Sequence, residues 1–344
     1  MPTYTPIYTR SPYFISRSGN DGDEIVVNLH IWNSPSSEPV TPTIVLSKPI
    51  PSSTVDTVYF DISPYLREYI GFEDFTAVTS ESTPPVDEYC FCKAYVYKEA
   101  VLHETLELIC FDGYGYFLDG NNPTVDPILM DEGTYYYTEN DSDTAAMVIH
   151  DNGVDLWEVT YYDLITNNNN FITVSNEVSK VPTVDPLFKQ NGNRVVVTKN
   201  AVIQKEFYFR PVCEPKYQVI KCDFVSRYGV WQRINFFKVS TNMFNMTNKE
   251  FNLMPESVDY NTSKNIRQSF NTNGSDSITC NTGWVNDGYA EVMKQLLLSE
   301  EIRLDGVPVK VKTKSLELMK GINDNNINYK IDFDYSFHTV NYIV

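Results

Sequence analysis

Apolar residues recur at every second position through most of this chain. In residues 24 to 32 (EIVVNLHIW) the alternation places Ile25, Val27, Leu29 and Ile31 on one side, the spacing of a strand with one face buried. The same period predicts strands over 43–47 (TIVLS), 57–62 (TVYFDI), 88–97 (EYCFCKAYVY) and 104–111 (ETLELICF). It continues in 134–138, 145–150, 155–164, 171–175 and 194–200, with the Asn167 to Asn170 tract as a turn. Later, 217–225 and 230–239 flank Ser226 to Gly229 as a hairpin, a strand pair lies near 277–285, and 307–314 and 328–337 alternate cleanly. In the last of these Tyr329, Ile331, Phe333, Tyr335 and Phe337 share one face.

Helical spacing is rare. Ser63 followed by Pro64 and LREYI reads as an N-cap, a proline at N1 and a short helix. Over about 287–302, Asn286 or Asp287 is placed to cap, and Val292, Met293, Leu296 and Leu297 form an i, i+3, i+4 stripe. The densest punctuation is Gly113 to Pro123 (GYGYFLDGNNP), which predicts a boundary. The expected organisation is an extended arm plus a β-sandwich over 1–118, a second β-sandwich over 119–205, and a β-rich domain with one helix over 206–344. The fold class is therefore mainly β: tandem β-sandwich domains of the fibronectin type III or immunoglobulin kind, with one amphipathic helix in the C-terminal domain. In the arm, Met1 to Tyr13, three prolines block helix, and Tyr4, Tyr8 and Tyr13 are the candidate interface residues; such an arm lies on its own domain or crosses to a neighbour.

Composition supports the strands, since 24 Tyr and 19 Phe stand against 15 Gly in 344 residues. Charge adds an asymmetry. Residues 1–205 hold 11 Lys and Arg against 29 Asp and Glu, whereas the remaining 139 residues hold 16 of each sign, so the net −18 resides in the first part. An acidic surface repels phosphate backbones, which argues against nucleic-acid binding there. It also suggests that the first part is solvated and the last part docked. Met1 is followed by Pro, Thr and Tyr rather than a basic start and an apolar run, and no stretch of ~18 apolar residues occurs, so neither a secretory leader nor a membrane span is expected. Six cysteines without paired C-x-x-C spacing predict free thiols.

Catalytic signatures are mostly missing. No Gly-Lys pair exists to build a phosphate-binding P-loop, and no G-x-S-x-G elbow occurs. His103-Glu104-Thr105-Leu106-Glu107 has a glutamate where a zinc protease has its second histidine, and it alternates like a strand. Cys90 and Cys92 share a strand face but lack two further ligands, so they read as buried core thiols. The acidic turns Gly19 to Glu24 and Asp119 to Asp126 miss EF-hand spacing. No catalytic, cofactor or metal residues are assigned. Glycosidase chemistry needs only two suitably separated carboxylates, which spacing does not reveal. For a glycan-binding module Tyr135, Tyr136, Tyr137 and Trp157 are the platform candidates, the competing expectation being that alternate members of the tyrosine run pack inward.

RSPYFIS with a strand ending HIW, FDISPYLREYI, GYGYFLDGNNP, YGVWQRINFFK, TGWV, LLLSEEIRL and NYKIDFDYSF together resemble virion tail proteins of tailed phages of Bacteroidetes-type hosts, the crAss-like phages and their relatives. The resemblance implies a non-enzymatic ring, collar or tail-associated part, made in the host cytoplasm and located in the virion tail. Its implied partners are other copies of itself and other virion tail proteins. A ring of heterologous contacts would put more of the interface on the last domain. The alternatives are a receptor- or glycan-binding tail protein that meets a host surface glycan and, behind it, a polysaccharide depolymerase.

Overall fold

The computed structural model describes residues 4–20, 22–33, 36–51, 56–138, 145–151, 155–212, 216–254, 263, 266–286, 288–315 and 326–340. The protein is mainly β, as the alternation predicts. The chain divides into two compact units: Met1–Glu214 with Asp223–Ile234 and Gly288–Glu300, and Pro215–Cys222 with Asn235–Asp287 and Glu301–Val344.

The first unit opens with β1 (Thr5–Tyr8), β2 (Phe14–Gly19), β3 (Glu24–Trp32), β4 (Ile44–Pro49), β5 (Asp56–Asp61), α1 (Ser63–Arg67), β6 (Tyr89–Lys98) and β7 (Val101–Phe111). These build a sheet of order β1-β7-β6-β3-β4 and a β2-β5 ribbon. One face of the sheet packs against the ribbon and α1 through Ile25, Val27, Leu29, Cys90, Cys92 and Cys110 with Phe60, Ile62 and Leu66. The opposite face is also covered: Tyr89, Phe91, Ile109 and Phe111 join Val125, Leu129, Val148, Val178, Tyr228 and Val230 in a second core. Burial on both faces is why YCFC and LICF read as unbroken apolar runs. Ser63 is the first residue of α1 rather than its cap; Ile62 caps without a side-chain bond. The Ser63 hydroxyl instead donates to the Ser11 carbonyl and accepts from the Tyr13 amide.

The same unit continues through β8 (Gly133–Thr138), β9 (Ala146–His150), β10 (Trp157–Asp163), β11 (Asn169–Val174), β12 (Val178–Pro182), β13 (Asn193–Lys199) and β14 (Val202–Val212). Its second sheet runs β11-β10-β13-β14-β8, beside a β9-β12 ribbon. Two of the expected boundaries meet continuous structure here. Position 205 falls inside β14, which pairs with both β13 and β8. The glycine-rich turn near 118 is pinned down, because Asn122 donates to the carbonyls of Tyr8 and Ser11 and accepts from the Tyr8 amide.

The chain then forms β15 (Ile220–Val225), β16 (Trp231–Phe236), β17 (Thr241–Asn252), β18 (Arg267–Asn286), α2 (Tyr289–Leu298), β19 (Ile302–Leu304), β20 (Val307–Val311) and β21 (Asn326–Tyr335). Helix α2 lies in the first unit, not in a C-terminal domain. Its fully buried Gln295 explains this, donating to the Asp131 carboxylate and accepting from the Arg227 amide, while Tyr289 meets Tyr135 edge-on at 6.2 Å. Gly288 caps it without a side-chain bond. The second unit carries the ladder β19-β20-β21-β18-β17. Its core takes Ile278, Cys280, Ile327, Tyr329, Ile331 and Phe333, the early members of the alternation in 328–337, whereas Phe337 is exposed.

Residues 71–85 lie along the first unit without regular structure except one bridge, Ser82 to Lys180. Phe75 sits between the Lys180 ammonium (4.9 Å from the ring centroid) and the Arg233 guanidinium (4.1 Å). Nearby, burial pushes the Glu88 carboxyl up to about 7 against the opposing pull of Lys180. A carboxyl that holds its proton more tightly when folded contributes its stability below its unfolded pKa of 4.5 and loses it as pH rises through 7. The expected outcome is that wild type loses on the order of 3 kcal/mol relative to Glu88→Gln between pH 4.5 and 7. Urea titrations of both proteins across that range measure it. A difference that does not change with pH removes Glu88 from the account.

Candidate functional site

The tyrosine arm does not supply a free surface. Strand β1 pairs in parallel with β7, setting Tyr8 opposite Phe111, and Tyr8 is 5% exposed. Tyr4 packs on Phe91 with centroids 4.8 Å apart and meets Trp32 edge-on, and Tyr13 leans on the first core. Of the two fates open to such an arm, the chain takes the first. Tyr8 is removed as an interface residue by burial, and Tyr4 and Tyr13 keep only partial exposure.

The glycan platform does not form either. Tyr135 and Trp157 are core residues at 4% and 1% exposure, and the Tyr137 hydroxyl is spent on the Lys189 carbonyl. His103 to Glu107 lies in β7 as an extended segment, with Glu104 paired to Arg17 and Glu107 to Lys93. Cys90, Cys92 and Cys110 are free thiols in the first core, and burial pushes the Cys92 and Cys110 thiols up. The acidic turns use their carboxylates locally: Asp23 accepts from the Asn20 amide and pairs with Lys98, Asp119 accepts from the Tyr116 amide, and Asp126 pairs with Lys205. Among the described residues no cluster of three His, Cys, Asp or Glu is positioned to hold a metal ion.

The surface that stands out is the hairpin β17–β18, where eleven of the twelve residues of β17 pair with β18 between Arg267 and Thr279 and the ladder continues to Leu253 and Ile266. Apart from Asn245, every residue of β17 is exposed. Met243, Phe244, Met246, Phe251, Leu253, Ile266 and Phe270 are each between 41% and 64% exposed. By register Phe244 and Met246 lie on one face, whereas Met243, Phe251, Leu253, Ile266 and Phe270 lie on the other. At the register shift Asn271 and Thr272 stand opposite Asn248, and Asn271, with φ of 49°, takes the left-handed geometry of one class of bulge. β17 is also the last strand of its sheet, so its outer edge has no partner strand among the described residues. A two-stranded ribbon is marginal in water by itself, and apolar groups left on both faces mark a surface to be covered.

No protein-family model matches the chain, and no curated protein matches it.

A second feature lies on the first unit. Beside β11, itself an edge strand, a groove of about 570 Å³ is lined by Thr79, Glu81, Tyr161, Asn170, Phe171, Pro182, Asp185 and Leu187. Leu187 (77% exposed) lines this groove, and Phe171 (60%) stands on the other face of the same edge strand, opposite Thr160 in register and away from Asn170 and Tyr161. The two carboxylates of the groove are engaged. Glu81 accepts from the Ser175 and Asn176 amides and the Ser175 and Ser179 hydroxyls; burial pushes its pKa up, but these donors together hold it below the usual carboxylate range. Asp185 accepts from the Leu187 amide and the Asn170 side chain. A glycosidic general acid needs a raised pKa, the opposite of what Glu81 has.

The hairpin was not among the predicted elements. Its strand carries Asn, Thr, Lys and Glu between Met and Phe, so no buried face imposes a two-residue period. The signal it does carry is the three large unburied side chains in NMFNMT, Met243, Phe244 and Met246, recognisable only once both faces are known to be exposed.

Proposed function

We propose that this chain is a structural component of a phage virion, a ring, collar or tail-associated part that acts by assembling into a symmetric multimer. The observation that carries the reading is the β17–β18 hairpin, with apolar side chains on both faces and an outer edge that pairs with no strand among the described residues. Full burial of such a side chain is worth roughly 1.5–3 kcal/mol, and these are already about half covered, so each adds roughly 1 kcal/mol and several together supply the drive for association. The resemblance to tail proteins of tailed phages supplies the setting. The engaged carboxylates of the groove and the buried members of the tyrosine platform favour assembly over glycan chemistry as the role of these surfaces.

Mass measurement of the purified protein and of native particles tests the reading. The expected result is a chain present in particles at a fixed multiple set by the ring symmetry, and lost from them when Phe244 and Met246 are both changed to Asp. A monodisperse monomer that never enters particles overturns it.

A further inference from the structure

We infer that the hairpin of one copy docks by strand addition on the free edge of β11 in a second copy, so that the chains join head to tail. This rests on the assembly reading and names the two surfaces that meet. β17 from Thr241 to Thr247 and β11 from Asn169 to Val174 are both terminal strands, and neither stretch contains a charge or a proline. Lysine, proline and a covering element are the usual means of blunting an edge. Other edges of the first unit have them: β4 ends in Lys48 and Pro49, β1 is four residues long and holds Pro6, and β8 has Tyr289 of α2 against Tyr136 at 6.2 Å.

The side chains fit the same pairing. A strand added to β11 gains backbone hydrogen bonds along the edge and sends alternate side chains towards the groove. Leu187 is exposed in the groove and Phe171 is exposed on the other face of β11, so an added strand meets an apolar group on each face, and about 570 Å³ is of the size that receives more than one side chain. Phe244 and Met246, two residues apart on one face of β17, have the spacing to enter it.

Charge disfavours contact between two first units. The first unit holds 15 Lys and Arg against 34 Asp and Glu, a net −19, whereas the second holds 12 against 11, a net +1. Contact between two first units sets −19 against −19, and this repulsion is avoided when a near-neutral second unit approaches an acidic first unit. Each copy then offers two different surfaces, and such a contact propagates until it closes into a ring.

The test uses the full chain in two variants, Phe244→Asp with Met246→Asp in the hairpin, and Phe171→Asp with Leu187→Asp at the β11 edge and its groove. All four positions are exposed, so the fold of each variant is expected to survive. By sedimentation the wild type is expected to be oligomeric and each variant monomeric. An equimolar mixture of the two variants is expected to give a dimer and nothing larger, because one intact hairpin and one intact groove remain. A mixture that stays monomeric shows that the intact hairpin and the intact groove do not complement each other and overturns the inference. A groove variant that assembles like wild type also overturns it and leaves the assembly reading standing. So does a wild type that is monomeric alone yet enters particles; if it is monomeric and absent from particles, both fall. Amide exchange gives a second measurement: residues 169–174 and 241–247 are expected to gain protection together in the wild-type oligomer, and protection of one strand alone contradicts the pairing.

Discussion

Gly229→Ala is expected to destabilise the first unit by ~3 kcal/mol, more than any other single-methyl addition at its glycines. Gly229 has φ of 75°, and a Cβ built on it lies 2.4 Å from the Gly113 amide nitrogen and 2.5 Å from backbone atoms of Asp112. Those atoms do not rotate aside as a side chain does. Gly113 is held from its own side, since a Cβ there meets the Tyr8 ring at 2.3 Å and the Arg227 carbonyl at 2.6 Å. The end of β7 and the β15–β16 turn thus touch backbone to backbone, tied by the Tyr114 amide donating to the Arg227 carbonyl. The left-handed conformation costs alanine roughly 1–2 kcal/mol, and forced separation of packed backbone adds about 1–3. Gly22→Ala is the control, with φ of 81° and open space around it, and carries only the first of these costs. Urea midpoints of the two variants decide the matter. Equal losses remove the backbone contact as a determinant.

The second large effect is expected at Asp223. Its carboxylate accepts from Arg233 Nε at 2.6 Å and Nη2 at 2.9 Å, and the two side chains are 4% and 9% exposed. Arg233 also lies against Phe75, its guanidinium carbon 4.1 Å from the ring centroid, in a site that leaves little room for water to replace a lost partner. Asp223→Ala leaves the guanidinium buried and uncompensated, a loss of roughly 3–5 kcal/mol. Replacing both members, Asp223→Leu with Arg233→Met, is expected to recover most of that loss, because the cost comes from an unpaired buried charge and not from a missing attraction. Thermal or urea unfolding of the single and double variants reads this directly. A double variant as unstable as the single one contradicts the explanation and points to lost packing instead.

Most strands were legible because one of their faces is buried and the other is not. In β3 the alternation of Ile25, Val27, Leu29 and Ile31 coincides with the observed strand, Glu24–Trp32. In β21 the same logic holds for Tyr329, Ile331 and Phe333 and fails at Phe337, where the chain leaves the core. Helix α2 was legible as a helix from Val292, Met293 and Leu296, but its place in the first unit was not. That depends on Gln295 reaching Asp131, a polar contact across 164 positions that no local spacing encodes. The arm tyrosines went the same way: Tyr8 reads as a sticky side chain until β1 is seen paired with β7.

The sequence alone determined the mainly β class, most of the strands, and the confinement of the acidic charge to its first 205 residues, because periodicity and charge count are properties of the chain itself. Tertiary structure decided which faces stay uncovered. It buried Tyr8, Tyr135 and Trp157 and left Phe244, Met246, Phe171 and Leu187 outside. An aromatic residue or a methionine has the same local signature in a core as on an open edge. Only the presence or absence of a second layer against it separates the two.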